Sequence, residues 1–175
     1  MSEEEIKLNF ITPALIDTGK WDKNQVRMNV YFTYGRIIVA GKTVKRGERN
    51  FADYILEYKP NVPLAVIEAK DNNHSIGDGM QQAIGYAEKL DLPFVFSSNG
   101  DGFIFHDRET GKEIELAIDQ FPSPQELWEK YKRYKGITEK IENTVTSDYF
   151  YEPGFKQPRY YQRIAINITI EALDK

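Results

Sequence analysis

The stretch Asn50-Phe51-Ala52-Asp53-Tyr54-Ile55-Leu56-Glu57-Tyr58, Lys59-Pro60-Asn61-Val62, Pro63-Leu64-Ala65-Val66-Ile67-Glu68-Ala69-Lys70 decides how this chain is read. Two runs rich in β-branched and aromatic residues flank a Pro-Asn turn signal, which predicts a β-hairpin. Pairing Tyr58 with Pro63 across the loop sets Asp53 directly opposite Glu68. Residues opposed in a ladder have Cβ atoms about 5 Å apart and share a face. Lys70, two residues beyond Glu68, falls on that face as well. Two like charges facing each other in a sheet are destabilising, and a hard cation between them removes the repulsion.

The second run, with Leu64, Val66, Ile67 and Ala69, is apolar on both faces, as expected of a buried central strand. Carboxylates and lysines are rarely buried without partners. A buried Asp53, Glu68 and Lys70 therefore calls for a closed ion-pair network or a metal ion, and the metal is the reading carried forward. An exposed hairpin would instead make the same three residues an ordinary solvated face. Ser75 to Leu90 has helical spacing, with Met80, Ala83, Ile84 and Ala87 on the core side. Gln82 and Tyr86, at i and i+4 on a neighbouring face, are placed to orient the Lys70 amine or to donate to phosphate oxygens.

Asp53, then Glu68-Ala69-Lys70, then Gln82-Ala83-Ile84-Gly85-Tyr86, resembles the PD-(D/E)xK nuclease core with an added Q-x-x-x-Y motif. The combination is similar to the amino-terminal endonuclease domain of the restriction (R) subunit of type I restriction-modification enzymes. Ile11-Thr12-Pro13-Ala14-Leu15 leading to Gly19-Lys20-Trp21, and Ser98-Asn99-Gly100 before a strand, fit the same family. The tail Gln157-Pro158-Arg159-Tyr160-Tyr161-Gln162-Arg163-Ile164-Ala165-Ile166 resembles the segment before the phosphate-binding loop of that family's motor, where a Gln at the Gln162 position contacts adenine. The pattern departs at Ala52, where a Pro is usual, and Glu3, Glu4 and Glu5 are equal candidates for an additional acidic ligand on an early helix.

The resemblance implies an α/β fold with a mixed central sheet flanked by helices. It implies Mg²⁺- or Mn²⁺-dependent hydrolysis of double-stranded DNA, with Asp53, Glu68 and the Ala69 carbonyl on the metal and Lys70, Gln82 and Tyr86 assisting. It also implies methyltransferase and specificity subunits as partners, a cytoplasmic location, and ATP use only by the full-length protein. Residues 1–145 would form the endonuclease domain, and 146–175 a linker and the start of a motor domain. No G-x-x-x-x-G-K-[ST] occurs in the chain, so P-loop ATP chemistry is excluded for it.

Composition agrees with an ordinary globular domain of 175 residues, 41% hydrophobic and 29% charged. No apolar run approaches the roughly 20 residues of a membrane span, and the acidic Met-Ser-Glu-Glu-Glu start does not read as a signal peptide. The absence of cysteine excludes disulfides and thiolate metal sites. Two histidines, His74 and His106, are too few for a His-built centre, so oxygen ligands and a hard cation are favoured. The net charge of −4 weighs against strong nucleic-acid binding by the chain alone. It leaves open an inactive nuclease-fold docking module, or a nuclease for RNA or single-stranded DNA in another defence or repair system. Two local basic patches stand out: Lys42, Lys45, Arg46 and Arg49, on a loop that could guide a phosphate backbone, and Lys130, Lys132, Arg133 and Lys135, on the polar face of a helix.

Elsewhere the pattern predicts a helix over 3–18 interrupted at Pro13, and strand structure in Val26 to Val39 around a Gly35 turn. It predicts a loop over Lys42 to Asn50 and a strand at Phe94-Val95-Phe96 parallel to the Glu68 strand. Strands at Phe103-Ile104-Phe105 and Glu113 to Ala117 follow. A helix starting at Ser123-Pro124-Gln125-Glu126 is expected to run to Asn143, and another to cover Tyr160 to Asp174.

Overall fold

The hairpin supplies the second and third strands of a six-stranded sheet. The structure, a computed structural model, describes residues 1–33, 38–40, 43–45, 49–147 and 160–172. Its strands are β1 (Val26–Thr33), β2 (Ile38–Ala40), β3 (Thr43–Lys45), β4 (Arg49–Glu57), β5 (Pro63–Ala69), β6 (Phe94–Ser98), β7 (Gly102–Asp107) and β8 (Lys112–Ala117). The main sheet runs β1-β4-β5-β6-β7-β8, and β2 and β3 form a separate two-stranded ribbon. Every neighbour pair in the main sheet is antiparallel except β5 and β6, which are parallel as the strand–helix–strand pattern predicts. From Leu64 to Ala69 every residue of β5 is buried, and β6 is buried throughout, so the apolar runs mark central strands.

Helices cover both faces. The helix α2 (Met80–Leu90) turns Met80, Ala83, Ala87 and Leu90 onto Ile55, Val66 and Val95. The opposite face carries a larger core. Ile6, Ile11 and Leu15 of the N-terminal helical segment and Leu127, Trp128 and Tyr131 of α3 (Pro124–Lys135) pack there with Tyr54, Leu56, Leu64, Phe94 and Phe96. Tyr58 stacks on Trp128 at 4.6 Å between ring centroids, tying the hairpin loop to α3.

The N-terminal segment starts as α1 (Glu3–Ile6), capped by Ser2 and Glu5. It continues through the wider turns Lys7–Ile11 and Ala14–Thr18, so Pro13 neither ends it nor leaves it regular. A proline has no N–H for an i−4 bond, and the looser i→i+5 pattern accommodates that loss.

Several boundaries differ from expectation. The α2 helix begins at Met80 rather than Ser75, because residues 75–79 form turns in which Asp78 accepts from the Ser75 N–H at 3.0 Å. Short polar side chains that bond nearby backbone compete with helix in this way. The α3 helix stops at Lys135, where Gly136 adopts φ 68°, and α4 (Glu139–Val145) starts afresh from Thr138. The hairpin keeps the expected register at Tyr54↔Ile67, Ile55↔Val66 and Leu56↔Ala65, but Glu57 rather than Tyr58 faces Pro63 across a shift beside Leu56. The stretch expected as a loop before Asp53 contains β3 and the start of β4.

The Gly35 turn, Lys42 and Arg46 lie outside the described residues, as do 148–159, where the linker was expected. The final helix, α5 (Tyr160–Ala172), meets the domain where Asn167 Nδ2 donates to the Asn61 carbonyl at 3.0 Å and Ile170 packs against the larger core. Among the described residues, no helix is long and apolar enough to cross a membrane.

Candidate metal-dependent site

Extending the β4–β5 register by one residue sets Asp53 opposite Glu68, as the sequence predicts. Past that point β5 leaves its ladder partner on this side, and the free Ala69 N–H donates to Asp53 Oδ2 at 2.9 Å. On its other side β5 stays held by β6, through Glu68↔Ser97, Ala69↔Ser98 and a Lys70 N–H bond to the Ser98 carbonyl at 2.8 Å. The acidic pair thus sits where one neighbouring strand has stopped pairing and the other has not.

Lys70 Nζ donates to Glu68 Oε1 at 3.2 Å and to Gln82 Oε1 at 3.1 Å. Gln82 Nε2 in turn donates to Tyr86 Oη at 2.8 Å, and the Tyr86 ring meets Phe32 edge-on at 5.2 Å. Five of the residues singled out from sequence, Asp53, Glu68, Lys70, Gln82 and Tyr86, are therefore linked into one constellation across β4, β5 and α2. The helix is held against the strand at its own start. The Gly79 N–H donates to Ser97 Oγ at 3.2 Å, and a Cβ at Gly79 would lie 2.8 Å from that oxygen and 3.1 Å from Glu68 Cγ. Gln162 lies on the exposed side of α5, on a separate element.

Glu68 is 4% exposed. Burial and the Asp53 charge push its carboxyl up to about 7, with Lys70 pulling the other way. Its Oε2 is buried and, among the described residues, has no hydrogen-bond partner. Two carboxylates and the Ala69 carbonyl make an all-oxygen donor set, suited to a hard cation. Among the described residues no group of three or more His, Asp or Glu side chains converges to hold a metal. The histidines face other partners: His74 pairs with Asp71 at 3.0 Å and His106 with Glu113 at 3.1 Å.

The three N-terminal glutamates separate. Glu5 closes the cap on Ser2, and Glu4 forms an ion pair with Lys7. Glu3 is coupled to the site: burial first, and then the Asp53 charge, raise its pKa.

Lys7 is the residue the motif reading missed. It is 2% exposed, and its Nζ donates to Asp53 Oδ1 at 2.9 Å and to Asn29 Oδ1 at 3.4 Å, with Glu3 3.9 Å away. Burial alone would lower its pKa, but its bonds to Glu4 and Asp53 outweigh this and raise it. The signal was available: a lysine flanked by Ile6, Phe10 and Ile11 on a helix, with Glu3 and Glu4 one turn before it. The second basic patch proves to be a paired surface. Lys132 bridges Glu129 at 3.0 Å and Glu142 at 3.2 Å, and Lys130 lies over the Phe105 ring. The side chains of Lys45 and Arg49 fall outside what is described.

Comparison with known proteins identifies a family for the chain. The profile of the type I restriction enzyme R protein N terminus matches residues 2–114. The Type I restriction enzyme EcoAI endonuclease subunit of Escherichia coli is 47% identical over 178 residues, covering 99% of this chain and 22% of that protein. A solved fragment described as an HsdR subunit of a type I restriction enzyme from Vibrio vulnificus YJ016 superposes with a TM-score of 0.83 at 38% identity, over 99% of this chain and 32% of that one. The chain thus spans about a fifth of the curated relative and about a third of the solved chain.

Proposed function

The chain belongs to the family of type I restriction enzyme R protein N-terminal domains, and from that premise we propose that it is a Mg²⁺-dependent endonuclease domain hydrolysing phosphodiester bonds of double-stranded DNA. The observation that carries this reading is the buried Glu68 Oε2, unpartnered among the described residues, beside Asp53 on a strand whose Lys70 is held by Glu68 and Gln82. A buried carboxylate oxygen without a partner is costly in a folded protein, and a bound cation offsets that cost.

In this reading Asp53, Glu68 and the Ala69 carbonyl hold Mg²⁺, with Mn²⁺ as a substitute. The chemistry such a dication supplies when bound is Lewis-acid activation of the phosphodiester and of the attacking water. Lys70 brings positive charge to the phosphoryl oxygens as the water oxygen bonds to phosphorus and the ester P–O bond breaks. Gln82 fixes the Lys70 amine, and Tyr86 fixes Gln82. In the full-length protein, cleavage would be coupled to ATP-driven translocation, with Gln162 at the adenine, and methyltransferase and specificity subunits would supply recognition. A cytoplasmic location belongs to the same reading.

The net charge of −4 favours a second reading, a nuclease fold that serves as a docking module and does not cut. Plasmid cleavage with Mg²⁺ or Mn²⁺ decides between the two. The proposal expects Asp53→Ala and Lys70→Ala to abolish nicking while circular dichroism stays unchanged; nicking by either variant at the wild-type rate would reject it.

A further inference from the structure

The candidate site already contains a cation of its own. We infer that Lys7 is the resident counter-cation of Asp53, neutralising it in the metal-free protein and opposing the entry of a divalent ion. The inference rests on Asp53 and Glu68 being the metal-holding pair.

The placement is specific. Lys7 is almost fully buried in a helix whose neighbours Ile6 and Ile11 enter the larger core, so its ammonium cannot be a chance surface contact. It reaches Asp53 Oδ1 at 2.9 Å while the Ala69 N–H occupies Oδ2 at 2.9 Å, so both oxygens of the carboxylate are engaged. Asn29, which lies across from Asp53 on β1 in the extended β1–β4 register and takes φ 50°, presents Oδ1 to the same ammonium at 3.4 Å. Glu3 and Glu4 close the ring from the preceding helical turn. This is a built cage for one positive charge, made by three separate elements.

Two effects of the cage act against a dication. An ammonium bonded to a ligand oxygen repels a second cation at the same carboxylate, with little solvent between them to screen it. The same ammonium also pairs with Glu3 and Glu4 on the preceding helical turn. Its removal would leave Asp53 less neutralised and release two carboxylates toward the site. In exchange, the metal-free protein is spared an unpaired carboxylate beside Glu68, an arrangement that breaking a buried ion pair makes strongly destabilising.

Lys7→Met keeps the length and apolar stem of the side chain and removes the charge; Lys7→Gln serves should the first variant fold poorly. The test is calorimetric titration of the 175-residue chain with Mg²⁺ and with Mn²⁺, together with thermal melts in EDTA and in excess Mg²⁺. The expected result is metal affinity at least ~10-fold tighter in the neutral variants, a melting temperature several degrees lower in EDTA, and recovery of that loss when Mg²⁺ is added. Binding confined to the variants also supports the inference. Wild-type binding that is equal or weaker in the variants overturns it alone, and makes Lys7 a group that orients Asp53. No binding by wild type or variants overturns the metal reading and this inference with it.

Discussion

Gln82 accepts a hydrogen bond from Lys70 Nζ at 3.1 Å, and this one contact joins the end of the central strand to the helix that follows it. Strand β5 presents Lys70 just beyond its last paired residues, within reach of Gln82 on α2. Tyr86, one helical turn on, accepts a hydrogen bond from Gln82 Nε2 at 2.8 Å. The three side chains form a relay that sets the position of one amine.

Loss of that relay should lower activity without unfolding the domain. Gln82→Ala is expected to reduce Mg²⁺-dependent cleavage about 10–100-fold, the range found when groups that orient a site's residues are removed. Tyr86→Phe, which leaves Gln82 in place, should cost less. Cleavage rates compared with melting temperatures check this, since Gln82 is exposed and its loss should barely move the melt.

Glu68 gives the metal-free protein a particular pH dependence. Its carboxyl is raised from 4.5 to about 7 in the folded chain. Between those values the unfolded chain releases its proton first, so stability falls as pH rises through the window. Glu68→Gln should remove that slope and stabilise the metal-free domain at pH 8 by on the order of 1–3 kcal/mol. Urea titrations in EDTA at pH 5 and pH 8 measure the difference between the two chains.

Gly79 is expected to tolerate no side chain. A Cβ there would sit 2.8 Å from Ser97 Oγ and 3.1 Å from Glu68 Cγ. Gly79→Ala should destabilise by about 1–3 kcal/mol through overpacking. It should also weaken Mg²⁺ binding by displacing Glu68. Chemical denaturation and calorimetry on the same variant separate the two effects.

The cap of α3 offers a control remote from the site. Ser123 Oγ accepts from the Glu126 N–H, and Glu126 Oε2 accepts from the Ser123 N–H at 2.7 Å. Ser123→Ala should cost about 0.5–2 kcal/mol of stability and leave cleavage by the folded protein unchanged. A loss of activity beyond the loss of folded protein would show that α3 is coupled to the site.

The parts of this fold that follow a strong local rule were legible before the structure. The β-branched, doubly apolar run from Leu64 to Ala69 identified a central strand, and Ser123-Pro124 placed the start of α3 at the residue. The hairpin register was readable because strand pairing has a period of two, and it placed Asp53 against Glu68 even though the loop closed one residue earlier than expected. Gln82 and Tyr86 followed from helical spacing. Local competition decided the boundaries that were missed: Ser75 and Asp78 hold a turn ahead of α2, and Gly136 ends α3 in a left-handed conformation. Lys7 was missed for a different reason. Its partner Asp53 lies 46 residues away, and no periodicity within the first helix reveals which strand end a buried lysine will meet.

The most direct test of the account is calorimetric titration of the chain with Mg²⁺ and Mn²⁺, wild type against Asp53→Ala, with plasmid cleavage assayed on the same samples. The account predicts saturable binding and nicking by the wild type, and neither by the folded Asp53→Ala variant. A wild type that binds no metal, or an Asp53→Ala variant that binds and cuts as the wild type does, would contradict it.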